Sequence, residues 1–315
     1  MARPRIGLAL GSGSARGWAH IGVIDALVEA GIEPNIICGS SMGALVGAAF
    51  VTDRLEALRE WAEAATRREI VSLLDIRFFG GGLIEGKQIV EFLRGMGIAS
   101  SIEKCRRPYV AVATDMVTGR EVWLKTGPIE DAVRASIALP GIFSPVRIDR
   151  RWLLDGGLVN PVPVSACRAL GAEFIIAVNL NDDILHRRFD SEPEALEVSQ
   201  NAPKSDEDFS WLMKQSSESI RRQALLIAQK LLTVGPNTPS YFEVIATSIN
   251  IMQDQITRAR LAGEPPHVML LPRLRNIGLL EFHRAKEAIA EGRAIVEQSL
   301  PSIRRNLDRA TISLS

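Results

Sequence analysis

Along the first half of the chain, short runs of consecutive apolar residues alternate with longer stretches in which apolar residues recur every three or four positions. The runs at 5–10 (RIGLAL), 35–38 (NIIC), 109–115 (YVAVATD), 174–180 (FIIAVNL) and 267–272 (HVMLLP) have almost no polar face, the pattern of strands covered on both sides. EVWLK (121–125) fits an antiparallel partner of 109–115, and RWLLDGG (151–157) reads as a strand running into a turn. The 3.6-residue period predicts helices at 17–30, stopped by Gly31, at 42–51, at 53–66 with Asp53 as cap, at 87–96, and at 129–138, ending before Pro140-Gly141. Strands separated by helices imply a three-layer α/β/α fold with a mainly parallel sheet.

The rhythm changes after the 174–180 run. Residues 181–208 are polar and proline-containing and read as a mobile surface loop. Two long helical stretches at 209–233 and 240–262 read as an inserted hairpin, before the strand at 267–272 and a last helix at 281–298. The expectation is one domain over 1–315 that carries a loop and helical insertion at 181–266. The hairpin bears Trp211, Leu212, Ile227, Leu231 and Leu232 among basic residues. It suits a cover over a site mouth that touches a membrane surface, or an added packing layer or oligomer contact. Gly80–Gly82 reads as a loop or hinge.

Composition narrows the partners. The 315 residues include 37 Lys+Arg and 37 Asp+Glu, so no global basic footprint for nucleic acid exists. Cys38, Cys105 and Cys167 are too few and too odd in number for a disulfide framework, and no Cys/His pair has metal-ligand spacing. No calcium loop of the EF-hand type is present, so no metal or other cofactor is expected. The apolar part of MARPRIGLAL is too short for a signal peptide, and residues 36–51 stop short of a membrane span. A protein of the cytoplasm, at most peripheral to a membrane, is expected.

Candidate chemistry is concentrated at three turns. Gly39-Ser40-Ser41-Met42-Gly43 is a G-x-S-x-G centred on Ser41, between a strand and a helix. A nucleophile on so tight a turn is presented outward, and the flanking Gly39 and Gly43 relieve crowding. The structural alternative is that Ser40 or Ser41 merely caps the helix at 42. Gly11-Ser12-Gly13-Ser14-Ala15-Arg16-Gly17 follows the first strand, where backbone N–H groups can converge on an anion. That anion is a dinucleotide pyrophosphate or the oxyanion of acyl transfer, unless the loop is simply a turn. A dinucleotide requires an acidic residue at the end of the second strand, and none is there. Asp155-Gly156-Gly157 is either an ordinary turn or a strand-end carboxylate able to serve as base for the serine. His20, one turn into the first helix, is either packed there or a second candidate base. His186, His267 and His283 follow no turn that would present a catalytic histidine.

Taken together, GSGSARGWAHIGV (11–23), GSSMGALVGA (39–48), ASIALPGIFSPV (135–146) and DGGLVNPVP (155–163) resemble the patatin-like phospholipase family in order and separation over residues 5–180. Residues 245–292 further resemble a bacterial subgroup of patatin-like esterases. The resemblance implies a Ser–Asp dyad with Ser41 as nucleophile and Asp155 as base. It implies an oxyanion hole from backbone N–H groups of Gly11, Ser12, Gly13 and their neighbours, with Arg16 at its rim. Gly39, Gly43, Gly156 and Gly157 would support the two turns. The chain departs from the family's usual loop where Ser12 stands in place of the middle of three glycines. The implied activity is hydrolysis of lipid or other acyl esters. The competing readings are acyl transfer through the same acyl-serine, and a non-catalytic phosphate- or nucleotide-binding module.

Overall fold

The structure, a computed structural model, describes residues 4–73, 86–183 and 241–313. Eight strands form one sheet among the described residues: β1 (Ile6–Leu10), β2 (Ile36–Ser40), β3 (Tyr109–Asp115), β4 (Glu121–Leu124), β5 (Val146–Ile148), β6 (Arg151–Asp155), β7 (Phe174–Val178) and β8 (Val268–Leu270). The spatial order is β5-β6-β3-β2-β1-β7-β8, with β4 also paired to β3. Pairings along β3-β2-β1-β7-β8 are parallel, and those of β3 with β4, β3 with β6 and β5 with β6 are antiparallel.

Among the described residues the α-helices are α1 (Ala19–Glu29), α2 (Met42–Val51), α3 (Leu55–Ala64), α4 (Arg67–Leu73), α5 (Lys87–Gly95), α6 (Ile129–Ser136), α7 (Val164–Ala169), α8 (Tyr241–Gly263) and α9 (Ala285–Ser313). Alternate strand residues serve the two faces. Ile6, Leu8, Leu10, Ile37, Phe174 and Ile176 pack with residues of α1, α2 and α9. Ala9, Ile36, Cys38, Val110, Ile175 and Ala177 pack with Val164, Ala166 and Cys167 of α7 and with Leu261. Burial on both faces is why these strands read as unbroken apolar runs, and the layers are α/β/α as expected. Glycines let α1 and α9 touch backbone to backbone: a Cβ on Gly22 would lie 1.9 Å from the Ile289 carbonyl oxygen, and one on Gly292 would lie 2.0 Å from that of Ala19.

The described residues belong to two compact units, 1–185 with 250–315, and 186–249. Of the second unit, the start of α8 is described. α8 matches the expected helix at 240–262. The stretch 184–208, the first hairpin helix at 209–233, His186 and Gly80–Gly82 lie outside the described residues.

Several boundaries differ from the periodicity. The helix expected from Gly17 begins as a 3-10 turn, Ser14–Trp18, that runs into α1. Asp53 does not cap α3; it takes a left-handed conformation (φ 57°) in the turn closing α2, where Arg54 N–H reaches the Ala49 carbonyl. The last helix continues through Pro301 to Ser313, because the apolar stripe persists at Val296, Leu300, Ile303 and Leu307 and its packing outweighs the lost hydrogen bond. β5 is too short to carry an alternation of its own.

One detail of the sheet sets up the site. β2 pairs with Tyr109–Val112 of β3, β6 pairs with Ala113–Asp115, and β4 pairs with Ala111–Thr114 along the other edge. Since β4 overlaps both, β2 and β6 share the opposite edge of β3 end to end. The C-terminal end of β2 therefore meets the C-terminal end of β6 head on, with Ser40 beside Val112 and Asp155 beside Ala113.

Candidate active site

That collision of strand ends brings Ser41 and Asp155 together. Ser41 donates its hydroxyl proton to Asp155 Oδ2 at 2.6 Å. Ser41 sits in a strained conformation, φ 55° and ψ −124°, between β2 and α2. Its side chain makes no capping bond to α2, so the capping alternative does not hold. Ser40 is fully buried in the strand, and its hydroxyl has no partner among the described residues. Gly39 and Gly43 are required by contact rather than by flexibility. A Cβ on Gly39 would meet the Gly43 carbonyl oxygen at 2.3 Å, and one on Gly43 would meet that of Leu10 at 2.1 Å.

The turn is held from behind. Ser41 N–H donates to Ser136 Oγ at 2.9 Å, and Ser136 Oγ donates to the Val112 carbonyl at 2.6 Å. Ser136 closes α6; no local pattern marks it, although it lies within the ASIALPGIFSPV segment.

Asp155 is 1% exposed. Burial raises its pKa from 3.8 to about 6, against the hydrogen bonds from Ser41 and from Gly157 N–H, which lower it. The Gly157 bond to Oδ1 is 2.7 Å, and the Asp155 backbone is fixed by Thr114 Oγ1 and the Ala138 carbonyl. Gly156 and Gly157 lie where side chains would collide: a Cβ on Gly156 would be 2.2 Å from the Val112 carbonyl oxygen, and one on Gly157 would be 2.4 Å from Gln253 Nε2.

The glycine-rich loop is best described by which of its polar groups are already used. Gly11 N–H donates to the Val178 carbonyl and Ser12 N–H to the Pro161 carbonyl. His20 Nε2 donates to the Gly11 carbonyl at 2.7 Å, and Arg16 Nε donates to that of Gly13 at 3.4 Å. Among the described residues, the N–H groups of Gly13, Ser14 and Met42 have no partner. The expected anion donors are thereby narrowed: Gly11 and Ser12 spend their N–H groups on the scaffold. Arg16 is buried against the loop, with Nη2 on Asn250 Oδ1, rather than lining a rim. Burial lowers its pKa to about 10, with Asp183 opposing.

His20 is fully buried, and desolvation takes its pKa down to about 4 despite the Gly11 bond. It is a neutral clamp on the loop. His267 accepts from Ile175 N–H and His283 meets Arg67, so no described histidine bonds to Ser41 or Asp155. The Ser12 hydroxyl donates to Gln253 Oε1 at 3.0 Å, and Asn181 Nδ2 donates to the same oxygen at 3.2 Å. Gln253 had no sequence signal, being one polar position on a long helix. Among the described residues, no cluster of three or more His, Cys, Asp or Glu suits a metal ion, and no helix is long and apolar enough to cross a membrane.

A buried carboxylate bonded to a serine on a strained turn, beside unengaged backbone N–H groups, can accept a proton, launch an oxygen nucleophile and stabilise an oxyanion. The family model for patatin-like phospholipase matches residues 8–168. An NTE family protein of Mycobacterium bovis is 37% identical over 331 residues, covering 94% of this chain and 91% of that protein. Neuropathy target esterase sws of Drosophila melanogaster is 35% identical over 182 residues, and patatin-like phospholipase domain-containing protein 6 of Homo sapiens is 32% identical over 182; each alignment covers 56% of this chain and 13% of the longer relative. Among solved structures, VipD from Legionella pneumophila aligns over 99% of this chain and 80% of its own, with a TM-score of 0.36 and 13% identity.

Proposed function

This chain belongs to the patatin-like phospholipase family, and from that premise we propose that it is a serine hydrolase of lipid carboxylic esters working through a Ser41–Asp155 dyad. The observation that carries the reading is the 2.6 Å hydrogen bond from Ser41 Oγ to Asp155 Oδ2 on a turn with φ 55°.

Asp155 takes the Ser41 proton as Oγ attacks the ester carbonyl. The carbonyl oxygen becomes an oxyanion, which the free N–H groups of Gly13, Ser14 and Met42 suit as donors. Collapse expels the alcohol, which takes the proton back from Asp155, and leaves an acyl-Ser41. Water then gives a proton to Asp155 and attacks the acyl carbon; as the acyl–Oγ bond breaks, Asp155 hands that proton to Ser41 Oγ, the fatty acid leaves, and hydroxyl and carboxylate are both restored. Asp155, raised to about 6, is a better base than an ordinary carboxylate and is still mostly ionised at neutral pH. The nucleotide-binding alternative lacks support: the second strand ends in Ser40-Ser41 with no carboxylate for a ribose.

A fluorophosphonate probe tests the reading. It should label Ser41, and labelling should vanish in Ser41→Ala. Labelling at another residue, or none in folded protein, would refute the dyad.

A further inference from the structure

Two antiparallel hairpins project past the strand ends that carry Ser41. The β3–β4 tip is Met116-Val117-Thr118-Gly119-Arg120, and the β5–β6 tip is Asp149-Arg150. They are tied to each other, since Met116 N–H donates to the Trp152 carbonyl at 2.8 Å. At these tips stand three large apolar side chains left in solvent: Met116 is 56% exposed, Val117 83% and Trp152 46%.

The surrounding charges are nearly all of one sign. Arg120, Arg147, Arg150 and Arg151 are exposed there, and Arg147 lies over the Trp152 ring at 5.9 Å. Asp149 is the one exposed carboxylate on the two tips. Asp115 spends its carboxylate on the N–H groups of Val117 and Thr118, and Glu121 is paired with Arg260. The β5–β6 turn is a two-residue loop with both residues left-handed, Asp149 at φ 46° and Arg150 at φ 67°. Glycine or asparagine would fit such a turn better, so a charged arginine is held at the apex against backbone preference.

We propose that these paired tips dock the protein on an anionic lipid surface: Met116, Val117 and Trp152 enter the interface, and Arg120, Arg147, Arg150 and Arg151 meet lipid phosphates. The proposal rests on the lipid-ester reading above and gives that reading its surface. Three side chains on turn tips fall well short of the roughly 800 Å² per partner of a standard protein interface. A bilayer needs less: a few apolar side chains at headgroup depth under snorkelling cations. Trp152 precedes Asp155 by three positions on β6, about 10 Å at ~3.3 Å per residue. Docking there sets the C-terminal edge of the parallel strands, where Ser41 sits, toward the lipid.

Co-sedimentation of the full chain with vesicles of phosphatidylcholine and phosphatidylglycerol in equal parts tests this. The protein carries Ser41→Ala, so that the vesicles survive. Binding should exceed that to pure phosphatidylcholine vesicles and weaken with salt. Val117→Asp with Trp152→Ser should weaken it at least tenfold, and Arg150→Glu alone by roughly fivefold or more. With Ser41 intact, the same substitutions should cut hydrolysis of vesicle phospholipid while leaving turnover of a short, water-soluble ester unchanged. Unchanged vesicle binding in both variants would overturn the docking surface. Binding without any hydrolysis by the intact protein would refute the hydrolase reading and leave the docking surface standing.

Discussion

Gln253 on α8 and Ser12 on the loop after β1 share a buried hydrogen bond of 3.0 Å across 241 residues of sequence. Because Ser12 and Asn181 both donate to the Gln253 carbonyl oxygen, its NH₂ end is left facing Gly157, next to Asp155. The serine that replaces a family glycine thus has a dedicated partner, and α8 is fastened to both halves of the site. Gln253→Glu would keep the acceptor for Ser12 and Asn181 but put a negative charge beside Asp155. That charge should push the Asp155 pKa higher still. The pH midpoint of kcat/KM on a soluble ester should therefore move above the wild-type value; an unmoved midpoint would count against this geometry.

The wild-type profile is itself a prediction. Asp155 works as a base only when ionised, and burial lifts its pKa to about 6. Activity should climb through about pH 6 and level off above it, with a single ionisation on the acid limb. His20 contributes nothing to that limb, since it is already neutral well below pH 6 and committed to Gly11. A His20→Gln variant should keep the same midpoint even if turnover falls. A midpoint that tracks residue 20 would return His20 to candidacy as the base.

Ser136 offers a third test. Its hydroxyl is the acceptor for Ser41 N–H and a donor to Val112, so Ser136→Ala leaves two buried backbone groups without partners. The expected loss of stability is about 1–3 kcal/mol. The turn that it steadies holds Ser41 at positive φ, so the rate of fluorophosphonate labelling should drop by ~10-fold or more, beyond what the fraction unfolded explains. Labelling at the wild-type rate in folded Ser136→Ala would show that the turn holds itself.

Much of this arrangement was legible in advance because strand, turn and helix were contiguous around it. The strands buried on both faces announced themselves as apolar runs, and Ser41 was picked out by glycines whose Cβ positions are occupied by backbone. What the sequence did not show are relations between distant segments. The sharing of one edge of β3 by β2 and β6 leaves no local trace, although it is what puts Asp155 against Ser41. Gln253 looks like any polar residue on α8. The Ser12 N–H group, expected to face an anion, is claimed by Pro161 from a loop 149 positions away. Pro161 and its partner could be matched only once the chain was folded. Asp53 misled because a left-handed turn residue and a helix cap favour the same side chains.

Asp155 should also limit stability, and the sign of its effect is specific. A carboxyl whose pKa is higher folded (about 6) than unfolded (near the ordinary 3.8) binds its proton more tightly in the native state. Stability from this group is fully present below about pH 3.8, declines as pH rises toward 6, and stays lost above it. A difference of about two pH units corresponds to roughly 3 kcal/mol at most. Asp155→Asn removes the buried charge while retaining an oxygen for Gly157 N–H and supplying an NH₂ for Ser41 Oγ. The variant should be inactive and should melt at a higher temperature than wild type at pH 8, with the gap closing as pH falls below about 5. Thermal denaturation of both proteins across that range decides the matter. A wild type that is the more stable of the two at pH 8 would mean that the Asp155 charge is solvated or paired in solution, and that burial does not set its basicity.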